Sequence, residues 1–78
     1  MKRIEIRFFG QLADLTKSDA IFLDDLADTD LVKERVLELY PSLQQTTFMM
    51  ALNNEMVHEK IIISENSIIA FMPPFSGG

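Results

Sequence analysis

The sequence predicts an α+β fold in which one main helix packs on a small mixed β-sheet. Short apolar strand patterns open and close the chain, and one stripe of apolar residues at helical spacing lies between them. The 78 residues suffice for one domain only. One helix crossing one sheet satisfies this order with the fewest connections. We therefore expect a single domain over residues 1–78, with residues 73–78 as a flexible, projecting tail.

A hairpin opens the predicted sheet. Apolar and charged residues alternate over residues 4–8, which is the period of a strand buried on one face. Gly10 ends this strand, and residues 20–23 form a second one. The residues expected to face inward, from both strands and from the segment between them, are Ile4, Ile6, Phe8, Leu12, Leu15, Ile21 and Leu23.

The main helix is predicted to begin at Asp28 or Thr29 and to end before Pro41. Either side chain can accept a hydrogen bond from an orphan N–H at a helix start. The residue before a proline disfavours the α region. An apolar stripe with spacings of four, three and four is expected to be core rather than a docking groove. The stripe consists of Val32, Val36, Leu39 and Leu43.

The second half of the chain predicts the remaining strands. Residues 48–52 form a third strand, which turns at residues 53–55 because asparagine tolerates left-handed geometry. Met56 and Val57 form a short return, and an isoleucine run follows at residues 61–63. The last strand, residues 68–72, has no charge on either face, which predicts a central strand buried on both sides.

Composition excludes several classes of function. Twelve acidic and seven basic residues give a net charge of −5, which argues against a nucleic-acid surface. The absence of cysteine excludes disulfides, thiol catalysis and zinc–thiolate sites. The apolar runs are too short to span a bilayer and the start has no signal-peptide core, so we expect a cytoplasmic protein without membrane contact.

Cofactor and metal sites are not expected in this chain. It has no glycine-rich phosphate loop, so it should not bind ATP itself. His58 is the only histidine and has no companion ligand, which favours a structural or solvent role over metal binding. Asp24, Asp25 and Asp28 lack the glycine turn of a cation loop and are interpreted as a solvated loop.

The last six residues, Pro73-Pro74-Phe75-Ser76-Gly77-Gly78, carry the most information about function. The two prolines remove two backbone donors and end the preceding strand, so the chain should project beyond them. Six extended residues reach about 20 Å, far enough to enter the active site of another protein. Gly77 and Gly78 have no side chains and could pass through a narrow tunnel. The alternative is an ordinary frayed terminus.

Several apolar residues are expected on or beside the solvent face of the sheet and at the base of the tail. Single exposed apolar residues are normal, but several at one edge indicate an interface. Together with the tail residues before the glycines they form the predicted partner interface, which consists of Phe9, Met56, Met72, Pro73, Pro74, Phe75 and Ser76.

Three stretches of the chain resemble the β-grasp sulfur-carrier family. They are Phe8-Phe9-Gly10-Gln11-Leu12, Ala51-Leu52-Asn53 and Ala70-Phe71-Met72-Pro73-Pro74-Phe75-Ser76-Gly77-Gly78. The order of helix and strands also agrees, so the resemblance covers essentially the whole chain. It is strongest to the branch of molybdopterin synthase small subunits, because the thiamin sulfur carriers lack the double proline. The resemblance implies a ubiquitin-like β-grasp fold.

The resemblance also implies a mechanism centred on the carboxylate of Gly78. An activating enzyme would use ATP to adenylate this group, and a persulfide sulfur donor would displace AMP and leave a thiocarboxylate. The tail, with Gly77 and Gly78 at its tip, would then enter the synthase large subunit and give sulfur to a cyclic pterin phosphate. The chain would not be catalytic alone, because the catalytic acids and bases would belong to its partners.

Three other functions remain open from the sequence. A thiamin-type sulfur carrier shares the fold and the terminal glycine pair. A ubiquitin-like protein modifier would instead join its Gly78 carboxylate to target lysines. A non-covalent interaction module would have an inert terminus, so that blocking the carboxylate would change nothing.

Overall fold

The computed structural model describes residues 2–74, and it contains the predicted opening hairpin, main helix and later strands together with two short helices that the sequence did not predict. The strands are β1 (Arg3–Phe8), β2 (Ala20–Asp24), β3 (Met49–Leu52), β4 (Glu55–Met56) and β5 (Ser67–Met72). The helices are α1 (Gln11–Thr16), α2 (Thr29–Leu39) and a short 3-10 helix (Pro41–Gln45). Within residues 2–74, none of the helices is both long and apolar enough to cross a membrane.

The five strands form one mixed sheet in the order β2-β1-β5-β3-β4. β1 and β5 run parallel, whereas the other neighbouring strands are antiparallel. The last strand is therefore central, as predicted. The prediction that it is buried on both faces is wrong: Ser67, Ile69 and Phe71 are buried, but Ile68 on the other face is 38% exposed. The core lies on one side of the sheet only, which leaves the opposite side to solvent.

The core confirms most of the predicted inward positions. Ile21 and Leu23 are partly buried and pack against its edge. The rings of Phe8 and Tyr40 meet edge to face at 5.5 Å, and Phe48 lies 5.2 Å from Phe71, so aromatic contacts close one end. The buried cluster consists of Ile4, Ile6, Phe8, Leu12, Val32, Val36, Leu43, Met50, Ile63, Ile69 and Phe71.

Two predicted core leucines are exposed instead. Leu15 is 41% exposed because α1 turns Thr16 inward, where its hydroxyl donates to the Leu12 carbonyl at 3.0 Å. Leu39 is 50% exposed because α2 ends at this residue and the chain continues into the 3-10 helix. Leu43 thus reaches the core from a second helix, and the predicted single stripe is split between two elements.

The start of α2 is tied to the loop that precedes β5. Asp28 caps the helix, since its carboxylate accepts from the Leu31 N–H at 2.9 Å. The buried Thr29 donates its N–H to the Ile61 carbonyl, and its hydroxyl oxygen accepts from the Ile61 N–H, both at 3.0 Å. The isoleucine run at residues 61–63 contains one isolated bridge, from Ile62 to Asp28, and no strand of the sheet.

The hydrogen bond between the Thr29 hydroxyl and the Ile61 N–H is expected to contribute measurably to the stability of the domain. Thr29→Val keeps the shape of the side chain but removes the acceptor for the Ile61 N–H. We expect the free energy of unfolding to fall by about 1–3 kcal/mol, because a part-buried donor loses its partner. Urea denaturation followed by circular dichroism measures this change.

The matched control is Thr47→Val, because Thr47 is exposed. Its effect should stay within about 0.5 kcal/mol, as for most surface substitutions. Equal stabilities of the two variants would show that the hydrogen bond to Ile61 contributes nothing.

Candidate docking surface and tail root

The chain leaves the sheet at a close contact between Gly10 and Pro73. Gly10 has φ 58° and ψ −137°, a conformation that residues with a Cβ rarely adopt. A Cβ atom at this position would lie only 3.0 Å from Cγ of Pro73. The Phe9 N–H donates to the Phe71 carbonyl at 3.0 Å, which continues the pairing of β1 with β5 past Phe8. We call Phe9, Gly10, Pro73 and Pro74 the tail root.

The tail root changes the predicted start of the projecting segment. Pro73 was predicted to be its first residue, but Pro73 is buried and packs on the domain. Pro74 is exposed. Phe75, Ser76, Gly77 and Gly78 lie outside the described residues. The packing of Pro73 against Gly10 was not predicted, because the sequence indicated only that a strand ends at Gly10.

The outer face of the sheet, opposite α2, carries an apolar band. Met49 lies directly across from Met72, and Ala51 lies between Ala70 on one side and Met56 on the other. Met56 is 36% and Ile68 is 38% exposed. The small alanines leave the methionine side chains as the raised part of this surface. The apolar band consists of Met49, Ala51, Met56, Ile68, Ala70 and Met72.

A charged row on β1 borders the apolar band. Arg3, Glu5 and Arg7 share the outer face, and Glu5 and Arg7 lie beside Ile68 and Ala70 of β5. The Arg7 guanidinium donates to the Glu5 carboxylate. An apolar centre with a charged rim is the composition found in protein–protein interfaces. The outer face is therefore suited to docking a protein rather than to binding a small molecule.

The described residues of the predicted interface lie at the tail root and on the outer face. Phe9 is 47% exposed at the end of β1, and Met56 is exposed on β4. Met72 lies across from Met49 on the outer face and is half-buried. Met49 and Ile68 also belong to this surface but were missed, because only the pairing of β3, β5 and β1 shows which face they share.

A shallow groove of about 540 Å³ runs beside the tail root on the side of β2. Phe9, Gly10, Asp19 and Ala20 are among the residues that line it. Arg7 also lines the groove. A partner that contacts Phe9 therefore meets an uneven surface with both apolar and charged groups, which can fix the direction of approach.

Two of the three acidic residues that were considered as a cation loop, Asp25 and Asp28, have structural partners. Asp28 caps α2, and the Asp25 carboxylate accepts from the Lys2 N–H at 3.0 Å. His58 is exposed. Across residues 2–74, no three His, Asp or Glu side chains are placed so that they could hold a metal ion.

The strand order, the single crossing helix and the parallel central pair define a ubiquitin-like β-grasp domain. Residues 6–78 match the ThiS family. The chain therefore belongs to the ThiS family.

Similar proteins agree with this assignment. A molybdopterin synthase sulfur carrier subunit from Caenorhabditis elegans is 30% identical over 84 residues, which cover all of both chains. The structure of a complex of subunits 1 and 2 of molybdopterin-converting factor from Helicobacter pylori matches with a TM-score of 0.74 and 23% identity. This match covers 97% of the present chain and 99% of that chain.

A further structural match is the small archaeal modifier protein 1 from Methanosarcina acetivorans. It has a TM-score of 0.82 and 15% identity, and the match covers 100% of the present chain and 98% of that one. At these identities the two solved structures demonstrate the shared fold alone.

The contact between Gly10 and Pro73 predicts a strong effect of a single methyl group. Gly10→Ala would force a residue with a Cβ into a glycine conformation and would place that atom against the proline ring. We expect the free energy of unfolding to fall by about 1–3 kcal/mol, the usual range for such backbone strain.

A double-mutant cycle with Pro73→Ala separates the two causes. Pro73→Ala removes the contact and should recover part of the stability lost in Gly10→Ala. The strain from the positive φ at position 10 should remain. Additive effects of the two substitutions in thermal or urea unfolding would show that Pro73 does not press on position 10.

Proposed function

We propose that this chain is the sulfur carrier subunit of a molybdopterin synthase and acts in the cytoplasm. The observation that carries the proposal is the likeness over the full length of both chains to a sulfur carrier subunit. The sequence also ends in Ser76-Gly77-Gly78, which provides a thin tip without bulky side chains. Both features are needed, because the fold alone is shared by proteins with other functions.

The chemistry takes place at the Gly78 carboxylate. A carboxylate oxygen is a poor leaving group, so an activating enzyme first transfers AMP from ATP to it and releases pyrophosphate. The terminal sulfur of a persulfide donor attacks the acyl carbon and displaces AMP. A thiol then cleaves the sulfur–sulfur bond, which leaves a thiocarboxylate on Gly78 and a disulfide on the donor side.

The synthase large subunit uses this thiocarboxylate as its sulfur source. The thiocarboxylate sulfur attacks a cyclic pterin phosphate and forms a thioester between Gly78 and the pterin. Water then cleaves the bond between this sulfur and the acyl carbon, which regenerates the Gly78 carboxylate. A second loaded chain supplies the second sulfur of the dithiolene that holds the metal in the same way. The present chain supplies the reacting group and its position. The ATP site, the persulfide and the catalytic acids and bases belong to the partners.

The tail root supports this role by fixing where the reacting group starts. Pro73 is buried against Gly10, so the segment that follows it starts from a fixed point on the domain. Four residues follow Pro74 and extend at most about 14 Å. A proline pair also limits the conformations of the chain before capture, which reduces the entropy lost on binding.

The outer face supplies the docking surface in this proposal. The apolar band lies on the strand that leads into the tail, and Phe9 stands beside the tail root. A large subunit bound there is held next to the segment it must capture. The Helicobacter pylori structure contains subunits 1 and 2 of molybdopterin-converting factor as a complex, which is consistent with such docking.

The terminus provides the first test of the proposal. Removal of Gly78, or addition of one residue after it, should abolish sulfur loading, because chain length fixes the position of the reacting carboxylate. Thermal unfolding should not change. Intact mass spectrometry after incubation with the activating enzyme, ATP and persulfide donor detects the replacement of one oxygen by sulfur.

The outcomes distinguish the alternatives. Loading of an unprocessed extended variant would overturn the sulfur-carrier proposal. Transfer from the loaded protein to a thiazole-forming enzyme, at a rate equal to that for the pterin, would identify a thiamin-type carrier. Conjugates joined to lysines through Gly78, without sulfur transfer, would identify a protein modifier.

A second test concerns docking. Phe9→Ala, and Phe75→Ala in the tail, should each weaken binding to the synthase large subunit by about 1–4 kcal/mol, as removal of an aromatic anchor does. Phe9 is 47% exposed, so its removal should leave the domain folded. Isothermal titration calorimetry with the purified large subunit measures the affinities.

Leu39→Ala is the matched control for Phe9→Ala. Leu39 is 50% exposed but lies at the end of α2, on the opposite side of the sheet from the apolar band. Its affinity should equal that of the unchanged protein. A loss of affinity in both variants would show that docking does not depend on the outer face.

A further inference from the structure

Within residues 2–74, the strand β2 forms an open edge of the sheet. At the opposite edge, β4 has only two residues, whereas β2 has five. β2 contains neither proline nor lysine, the residues that most often protect an exposed edge from pairing with another strand. Its central residue, Phe22, is 54% exposed. This edge is not used by the apolar band or the tail root.

The hydrogen-bond pattern shows which backbone groups face outward. The Phe8 N–H donates to the Asp19 carbonyl and the Asp25 N–H donates to the Lys2 carbonyl, each at 2.9 Å. In the antiparallel register with β1, these bonds alternate, so Ile21 and Leu23 bond to β1. The N–H and C=O groups of Ala20, Phe22 and Asp24 therefore point to the side on which the described sheet has no further strand.

We propose that β2 pairs antiparallel with β2 of a second copy of this chain, about a two-fold axis at Phe22. The pairing joins the two sheets into one continuous sheet. Ala20 lies opposite Asp24 of the second copy, and Phe22 lies opposite Phe22. These three pairs use every outward backbone group of the strand and form roughly six hydrogen bonds.

Side chains favour this register. In a hydrogen-bonded antiparallel pair the two side chains lie on the same face, so both Phe22 rings meet on the outer face. The Arg3 guanidinium already lies 4.6 Å from the centre of the Phe22 ring and would cover the outside of this aromatic pair. The register also avoids placing Asp24 opposite Asp24, which would bring two acidic side chains together.

Charge complementarity supports a second copy as the occupant. Arg3 lies directly across from Asp24, and Arg7 lies directly across from Ala20. In the dimer, Asp24 of one copy lies next to Ala20 of the other and about 10 Å from the backbone of its Arg7, two strand spacings away. The side chains of Asp24 from one copy and Arg7 from the other can approach each other above Ala20, because the alanine side chain is small. Each Asp24 thus lies between arginines of both copies.

The ends of the strand limit the affinity. Asp19 and Asp25 lie just beyond β2, and in this register they come close to each other across the axis. Their like charges confine the pairing to the five strand residues. An interface of this size is below that of stable complexes, so the dimer is weak and forms only at high protein concentration.

The dimer leaves the tail root accessible. β5 is separated from β2 by β1, and the two copies of β5 run in opposite directions about the axis. The apolar bands remain on the outer face at either end of the continuous sheet. The self-association therefore does not depend on the proposed sulfur-carrier function, and either can fail without the other.

Analytical ultracentrifugation and NMR of the purified chain test this dimer. Between about 10 µM and 1 mM the sedimentation coefficient should rise from that of a monomer toward that of a dimer. In the same range, the amide protons of Ala20, Phe22 and Asp24 should gain protection from exchange. Those of Ile21 and Leu23 should be protected at every concentration, because they bond to β1 within one copy.

The variant Phe22→Lys should raise the dissociation constant of the dimer at least tenfold, since it removes the aromatic pair and places two like charges at the axis. Leu31→Lys, at a 40% exposed position on α2, is the control and should leave the constant unchanged. A monomer throughout the range would overturn the proposal. So would a dimer that resists Phe22→Lys, or exchange changes confined to Met49, Ile68 and Met72, which would indicate pairing through the outer face.

Discussion

The parallel pairing of β1 with β5 is the constraint on which the rest of the molecule depends. It joins the first strand to the last. Both are inner strands of the described sheet, and β3 follows on the other side of β5. It also brings Phe9 alongside Phe71 and so places Gly10 under Pro73. The route by which the chain leaves the domain is therefore fixed by its first ten residues. Pairing of two strands so far apart in the sequence costs chain entropy. Burial of the side chains of both strands must offset this cost, so these side chains are essential to the pairing.

A sheet covered on one face only does not by itself require that β5 lack charged residues on both faces. Its inner side chains, Ser67, Ile69 and Phe71, are buried by the core. Its outer side chains belong to the apolar band, although solvent can reach Ile68. A strand that needed only to fold could carry polar residues on that face, as β1 does with Arg3, Glu5 and Arg7. The apolar outer face of β5 is thus accounted for by the docking role proposed above rather than by the fold.

Local signals in the sequence predicted the elements well, and contacts between distant residues set the limit. The alternation in β1, a helix cap at Asp28 or Thr29 and the stop before Pro41 depend on neighbouring residues. All three were predicted, and the structure places the cap at Asp28. Leu39 was misplaced because the end of α2 redirects the chain before the stripe is complete. The packing of Pro73 on Gly10 can be predicted only when the strand register is known, and no local sequence pattern contains the register. The same holds for Met49 and Ile68, whose shared face follows only from the pairing. Residues 75–78 lie outside the described residues, so the chemistry assigned to them is a prediction from the sequence.

The order of the strands separates the surfaces that the chain can offer to other proteins. The apolar band occupies β5, β3 and β4, whereas the open edge of β2 lies on the far side of β1. The charged row of β1 stands between them and is shared by both: Arg7 borders Ala70 on one side and Ala20 on the other. A partner bound to the apolar band can therefore recruit Arg7 from its contact with Glu5 and alter the charge available to the β2 edge. Coupling between the two surfaces needs no movement of the backbone, because a long arginine side chain can change partners on the surface of a rigid sheet. It should be weak, since exposed ion pairs contribute about 0–1 kcal/mol.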